Sequence, residues 1–296
     1  MTVLPAFAEV LLADIFVKGA GGAIFVLYNA STWSWWHYPA WLSIILLGLE
    51  AVSALVHVFG RVCRARIIRS RGKHLDELEL LDRLFVGFNR CSTAVFTYHA
   101  IKYVWYAPRG GRVAWDVGEL GLANGLGAFV ALYVVYDLFY TAFHRVLHVR
   151  GLYKFVHKHH HRQKAPSRGN ADAVNVHPFE FLCGEYNHLL AMHLVSKYVV
   201  PVHVVSAGAF VVVGGFLASL NHTRFDIRIP VVYEVRYHDI HHWYPECNYG
   251  QYTMLWDWLT GSLKPYPEGD DGSNGKASAN GAHPPPVVVA RKEKAG

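Results

Sequence analysis

Eight histidines in three spaced groups are the residues of this chain best suited to chemistry: His144 and His148, then His157, His160 and His161, then His238, His241 and His242. The pattern is HxxxH, HxxHH, HxxHH. Neutral imidazole is a borderline ligand that suits iron, zinc, copper or nickel. Eight imidazoles exceed the capacity of one ion, which takes roughly four to six ligands, so two metal ions are implied.

His144 and His148 stand i,i+4 at the end of an apolar run, on one face of a helix that Gly151 would stop. His157, His160 and His161 fall within about a 100° arc of a helix and can bind together, whereas His159 points away from that arc. The third group repeats the spacing. Each group alone has a plainer alternative: a histidine pair on a membrane helix can be packing polarity, and the basic run Lys154 to Lys164 can attract anionic lipid. Three groups in order on one side of a membrane favour metal. His188, His193 and His203 lie in an apolar stretch and read as structural or cavity residues.

The elements that must position these groups are helical and apolar. The chain has 296 residues, 52% hydrophobic and 17% charged, too apolar for an ordinary soluble domain and too long for a single anchor. The net charge of +6 comes from Lys and Arg beside apolar runs, with no nucleic-acid motif, so no nucleic-acid partner is expected. The four cysteines show neither CxxC pairing nor ligand spacing. The expected fold is all-α, an integral-membrane helical bundle of about four spans plus a hairpin, with a cytosolic histidine-rich helical cap holding a dimetal site.

Phe7 to Tyr28 is one candidate span, although Asp14 and Lys18 would have to pair or face protein. Ala40 to Gly60 is a cleaner one, with Trp33, Trp35, Trp36 and Trp41 crowded at its start. After it come Arg61, Arg64, Arg66, Arg69, Arg71 and Lys73, which the positive-inside rule places in the cytosol. Leu84 to Tyr106 and Leu120 to Phe143 make a hairpin around Pro108 to Gly111. Leu189 to Leu220, with Pro201 near its middle, is two short helices or a re-entrant hairpin. Three segments follow: 1–119 with N-terminal spans and the basic loop, 120–264 as the catalytic domain, and 265–296 as a disordered tail.

At Tyr136 to Ser262 the chain resembles the fatty acid hydroxylase superfamily, which includes sterol methyl oxidases, sterol desaturases, fatty acid hydroxylases and plant-type carotene hydroxylases. Asp137 followed by His144-Arg145 and His148 is similar to that family's first box. His157-Lys158 with His160-His161 is similar to its HKxHH signature, and His177-Pro178-Phe179-Glu180 to its HPxE segment. His238-Asp239-Ile240-His241-His242 with Asn248-Tyr249-Gly250 resembles its HDxHH and NYG pairing. Arg162, where an acidic residue is common, and Leu259 to Ser262, in place of an LFGT-like ending, depart from the pattern.

The resemblance implies nine ligands, His222 joining the other eight, and a supporting set of Asp137, His177, Glu180, Asp239 and Asn248. Asp137, seven residues before His144 on its helical face, is expected to orient an imidazole. His177 has the alternative role of a ligand. Two irons would activate O2 to hydroxylate or desaturate a membrane lipid, a sterol first and a fatty acyl chain or carotenoid as alternatives. Electrons would come from outside, by resemblance from cytochrome b5 and its NAD(P)H-dependent reductase. The Arg61 to Lys73 loop could dock an acidic partner, or bind lipid headgroups. Lys292 and Lys294 fit a KxKxx endoplasmic-reticulum retrieval form. A contrasting possibility is a non-catalytic zinc-binding membrane protein or transporter, which would carry ionisable residues deep inside several spans.

Overall fold

Only Glu50 and Arg61 are charged in the run that forms helix α1 (His37–Val62). Ile44, Leu47, Leu55, Val58 and Val62 of this helix lie exposed. A helix apolar all round and uncovered by protein is solvated by lipid rather than water. The structure, a computed structural model, describes residues 30, 33–70, 74–106, 111–229 and 232–266. The expected span at Phe7 to Tyr28, the chain from 267 on with Lys292 and Lys294, and Arg71 and Lys73 lie outside the described residues.

Helix α2 (Leu80–Tyr106) follows, then strand β1 (Val113–Ala114) and helix α3 (Ala128–Leu147), which a π turn over Ala123–Gly127 extends at its start. Short pieces come next: α4 (Arg150–Leu152), a π turn at Tyr153–His157, a 3-10 turn at His160–Arg162, and α5 (Asn170–Ala173). Helix α6 (Pro178–Leu194) runs into a π turn at Val195–Val199. Strand β2 (Val202–His203) leads to helix α7 (Val204–Asn221). Two-residue strands β3 (Arg228–Ile229) and β4 (Tyr233–Glu234) precede helices α8 (Val235–Trp243) and α9 (Leu255–Thr260).

Among the described residues three helices are long and apolar enough to cross a membrane: His37–Val62, Ala123–Leu147 and Val204–Asn221. The expected span at Leu84 to Tyr106 is not among them. It forms a helix, but Asn89, Arg90, His99 and Lys102 lower its hydropathy, and Arg90 reaches Glu50 of α1 at 2.5 Å. The stretch from Leu189 to Leu220 holds the end of one helix, α6, and nearly all of a second, α7, the first of the two expected arrangements. Val200, before Pro201, is extended at φ −150° and ψ 146°, as the proline ring requires of its predecessor. The break carries β2, which pairs in parallel with β1.

Helices α1, α3 and α7 run in one direction and α2 and α6 return. Asp82 at the start of α2 meets His159, and Glu180 at the start of α6 meets His157, so both returning helices begin at the histidine-bearing end. Strands β1 and β2 close the opposite end. The core between α2, α3, α6 and α7 contains Phe96, Leu132, Tyr133, Tyr136, Met192 and Phe210. Tyr133 Oη donates to the Phe210 carbonyl at 3.0 Å, and Asn187 Nδ2 to the Tyr136 carbonyl at 2.9 Å. Between helices in lipid such bonds contribute about 0.6 to 2 kcal/mol each, with van der Waals packing supplying the rest.

Candidate metal centre

The nine histidines expected as ligands come together at the C-terminal ends of α3 and α7 in two clusters. His144, His148, His157, His161 and His241 form one; His160, His222, His238 and His242 form the other. Within each, one ligand atom from every residue lies within 4.8 Å of all the rest. All are buried except His148, which is half-buried. His159 belongs to neither. Its Nε2 lies 2.9 Å from Asp82 Oδ1 and 2.9 Å from Asn175 Oδ1.

Each HxxHH group is divided between the clusters, a correction to the expectation that its three rings bind together. Adjacent helical residues differ by about 100° in direction. In α8, His238 and His242 share a face and turn to the four-histidine cluster, while His241 turns to the other. His157 and His161 join the five-histidine cluster and His160 the other. This second group is not on a regular α-helix: His157 ends the π turn and His160 opens the 3-10 turn. Nor does Gly151 stop α3. That helix ends at Leu147 with His148 as its C-cap, and Val149 is extended at ψ 133°.

Five of the nine rings have the outer nitrogen tied to an oxygen acceptor. His144 Nδ1 donates to the Tyr249 carbonyl at 2.7 Å, His157 Nδ1 to Glu180 Oε1 at 2.7 Å, and His241 Nδ1 to the Cys247 carbonyl at 2.7 Å. His242 Nδ1 donates to the Gln163 carbonyl at 2.9 Å and His222 Nδ1 to the Ala218 carbonyl at 2.8 Å. In a neutral imidazole a hydrogen on Nδ1 leaves Nε2 as a bare lone pair.

Those lone pairs face one another. His144 Nε2 and His157 Nε2 are 2.9 Å apart, with no hydrogen left to place between them. In the other cluster His238 Nε2 lies 3.0 Å from Nε2 of both His222 and His242, and one hydrogen cannot serve two acceptors. His241 Nε2 and His148 Nε2 are buried without any partner. Such an arrangement is repulsive by itself and favourable around a cation. The donor set fits a metal at both places.

Burial, reinforced by the neighbouring rings, holds His160, His161, His238, His241 and His242 well below the usual imidazole range. His148 is lowered to about 3, first by burial and then by His157. The rings are therefore neutral near pH 7, the form that binds metal.

Of the supporting residues, Glu180 bonds a cluster ring directly, at His157 Nδ1. Asp137 does not orient an imidazole, contrary to expectation. Its carboxylate accepts from the backbone N–H groups of Gln251, Tyr252 and Thr253 at 3.2, 3.2 and 2.5 Å. It thereby fixes the loop whose Tyr249 carbonyl holds His144. His177 caps α6, its Nδ1 accepting from Phe179 N at 3.2 Å, and lies outside both clusters. Asp239 pairs with Arg224, which also donates to the Ile68 carbonyl. Asn248, at φ 55°, bonds Lys264 N at 2.7 Å and the Tyr237 carbonyl at 3.1 Å.

Asp257 completes the loop, accepting from Tyr249 N at 2.9 Å and Gly250 N at 2.7 Å. A Cβ at Gly250 would stand 2.5 Å from the Thr253 carbonyl oxygen, so only glycine fits. Asp257 and the four carbonyls went unrecognised in the sequence. Every residue has a carbonyl, and Asp257 sits in a short helix; its one signal is that it follows the NYG segment by seven residues.

Residues 129–262 match the fatty acid hydroxylase family. Lathosterol oxidase of Rattus norvegicus is 31% identical over 157 residues, covering 50% of this chain and 50% of its own length. Delta(7)-sterol 5(6)-desaturase of Eremothecium gossypii is 31% identical over 153 residues, covering 49% and 42%. Methylsterol monooxygenase 1 of Rattus norvegicus is 29% identical over 180 residues, covering 58% and 55%. The chain thus spans about half the length of the curated relatives it matches. No solved structure gives a significant match.

Proposed function

Because the chain belongs, through residues 129–262, to the fatty acid hydroxylase superfamily, we propose that it is a membrane oxidoreductase that uses O2 to hydroxylate or desaturate a membrane lipid, with a sterol as the substrate class. The observation that carries this proposal is the pair of buried clusters whose bare Nε2 atoms converge. His144, His148, His157, His161 and His241 would hold one iron, and His160, His222, His238 and His242 the other.

Bound iron would supply O2 activation and one-electron chemistry at an unactivated C–H bond, which no organic side chain can provide. The chain's own part is to hold and orient. Carbonyls of Tyr249, Cys247, Gln163 and Ala218 and the Glu180 carboxylate fix which nitrogen is free on His144, His241, His242, His222 and His157. Burial excludes water from eight rings and leaves His148 as the least covered approach.

The sterol class rests on the lathosterol oxidase, desaturase and methylsterol monooxygenase relatives. The membrane setting rests on the three apolar helices, with α2 and α6 as the returning legs. Arg61 lies in the last turn of α1 and Arg64, Arg66 and Arg69 follow it, and the Ile68 N–H donates to the Arg224 carbonyl at 2.7 Å, two residues from His222. A basic loop on the same end as the clusters supports a cytosolic site, at the endoplasmic reticulum. Electrons would come from cytochrome b5 and its reductase.

Lipid profiling of cells lacking the protein tests the substrate. A sterol precursor should accumulate and fall again when the wild-type chain, but not His241→Ala, is restored. An unchanged sterol pool with an altered fatty acyl or carotenoid pool would move the assignment to the sister hydroxylases.

A further inference from the structure

Between His148 and His157 the chain turns large apolar side chains outward. Val149 is 59% exposed and Phe155 74%, with Val146 and Leu152 exposed beside them. Arg150, Lys154 and Lys158 are exposed at four-residue spacing. From Leu138 to Ala171 the sequence has no Asp or Glu and seven Lys or Arg: Arg145, Arg150, Lys154, Lys158, Arg162, Lys164 and Arg168.

Four of these cations are engaged. Arg145 donates to Ser262 Oγ at 2.6 Å, Lys164 to the His242 carbonyl at 3.0 Å, Arg162 pairs with Glu79 at 2.7 Å and Arg168 with Asp172 at 2.7 Å. Arg150, Lys154 and Lys158 have no carboxylate partner among the described residues. Lys154 Nζ lies over the Phe155 ring at 5.4 Å, and no acidic group among the described residues claims any of the three.

The position along the bilayer is set by α3. Its continuous helix has 25 residues, about 37 Å at 1.5 Å per residue, against a hydrocarbon core of about 30 Å. Its last turn therefore enters the headgroup layer, and the segment from Val149 begins there. Helix α9 lies alongside, its Trp256 Nε1 donating to the Val134 carbonyl at 2.8 Å, and presents Trp258 and Leu259 outward. Water would not stabilise Phe155 and Leu152 in the open. An apolar protein interior would not accept three unpaired cations. The interface of an anionic leaflet suits both.

We propose that Val146 to Lys158 is a membrane-surface element that inserts Val149, Leu152 and Phe155 among the acyl chains of an anionic leaflet and sets Arg150, Lys154 and Lys158 against lipid phosphates. An acidic protein would satisfy the cations but not the apolar side chains between them. Tyr153 of the same element stacks on His148 at 5.4 Å, so the least covered ligand of the five-histidine cluster lies beside lipid rather than open water. This surface stands or falls separately from the oxidation chemistry.

The test is photocrosslinking of the full chain in phosphatidylcholine vesicles, with and without phosphatidylserine, carrying p-benzoylphenylalanine in place of Phe155. The same group in place of Asp76, whose side chain is 92% exposed, serves as the water-facing control. Lipid adducts at 155 should exceed those at 76 severalfold. Phosphatidylserine should be over-represented among them, and Arg150→Gln/Lys154→Gln/Lys158→Gln should remove that excess. Adducts no more frequent than at 76, adducts only with a second polypeptide, or phosphatidylserine at its bulk share would overturn the proposal. If the photoprobe variant misfolds, a nitroxide on Phe155→Cys, read by collision with O2 against a water-soluble nickel complex, gives the same decision: preferential contact with O2 supports insertion and preferential contact with nickel refutes it.

Discussion

Replacing Glu180 by glutamine should weaken metal binding at the five-histidine cluster and leave the four-histidine cluster intact. Glu180 is 6% exposed and accepts the His157 Nδ1 hydrogen at 2.7 Å, a short, charge-assisted bond. A bond to a charged group contributes about 1.5 to 3 kcal/mol, and each 1.4 kcal/mol is about tenfold in affinity. The expected loss is therefore about 10- to 100-fold, the range found when partners behind metal-bound imidazoles are removed. Folding should not confuse the result. Glu180 Oε2 is buried without a partner, so a neutral amide relieves a desolvated charge in the metal-free protein. The assay is anaerobic ferrous titration against a chelator, resolving two classes of site, with Glu185→Gln as control because Glu185 bonds Thr93 on α2. Two unchanged classes, or two classes weakened equally, would refute the assignment of Glu180 to one cluster.

Removing His222, which belongs only to the four-histidine cluster, should lower the bound metal from two ions per chain to one; loss of both would show that the clusters are not separable. His159→Gln breaks the contact with Asp82 and should retain two ions, and loss of either would return His159 to the ligand set. Gly250→Ala places a Cβ 2.5 Å from the Thr253 carbonyl oxygen and 3.1 Å from Asp257 Oδ2. Overpacking of this kind costs about 1 to 3 kcal/mol. Its melting temperature should fall, and metal at the cluster containing His144 should weaken with it, since Tyr249 is the adjacent residue.

The ligand histidines were legible because helical spacing writes itself into sequence: His144 with His148 and His238 with His242 fall four apart on one face. Which cluster takes which ring was not legible for either HxxHH group, and the one from His157 to His161 is also irregular. A π turn followed by a 3-10 turn changes the angular step between His157 and His161, and no local residue signals it. The partners of the outer nitrogens were hidden for a different reason, since four of five are backbone carbonyls, which every residue has, and those of Tyr249 and Gln163 come from distant positions. Asp137 illustrates the limit of spacing arguments. It shares a helical face with His144, yet the nearest donors are three backbone N–H groups of the 251–253 loop, and those take the carboxylate. The continuous apolarity of α1 makes it long and apolar enough to cross a membrane, whereas α2 falls short by that measure, with Arg90 inside it meeting Glu50 of α1.

Two separate histidine clusters are each expected to hold a redox-active ion. Anaerobic iron loading of the purified full chain, followed by metal analysis and O2 uptake with reductant and a sterol, tests it most directly. Two irons per chain and O2 consumption that requires both reductant and lipid are predicted. A single ion, or zinc alone with no O2 consumption, would contradict it.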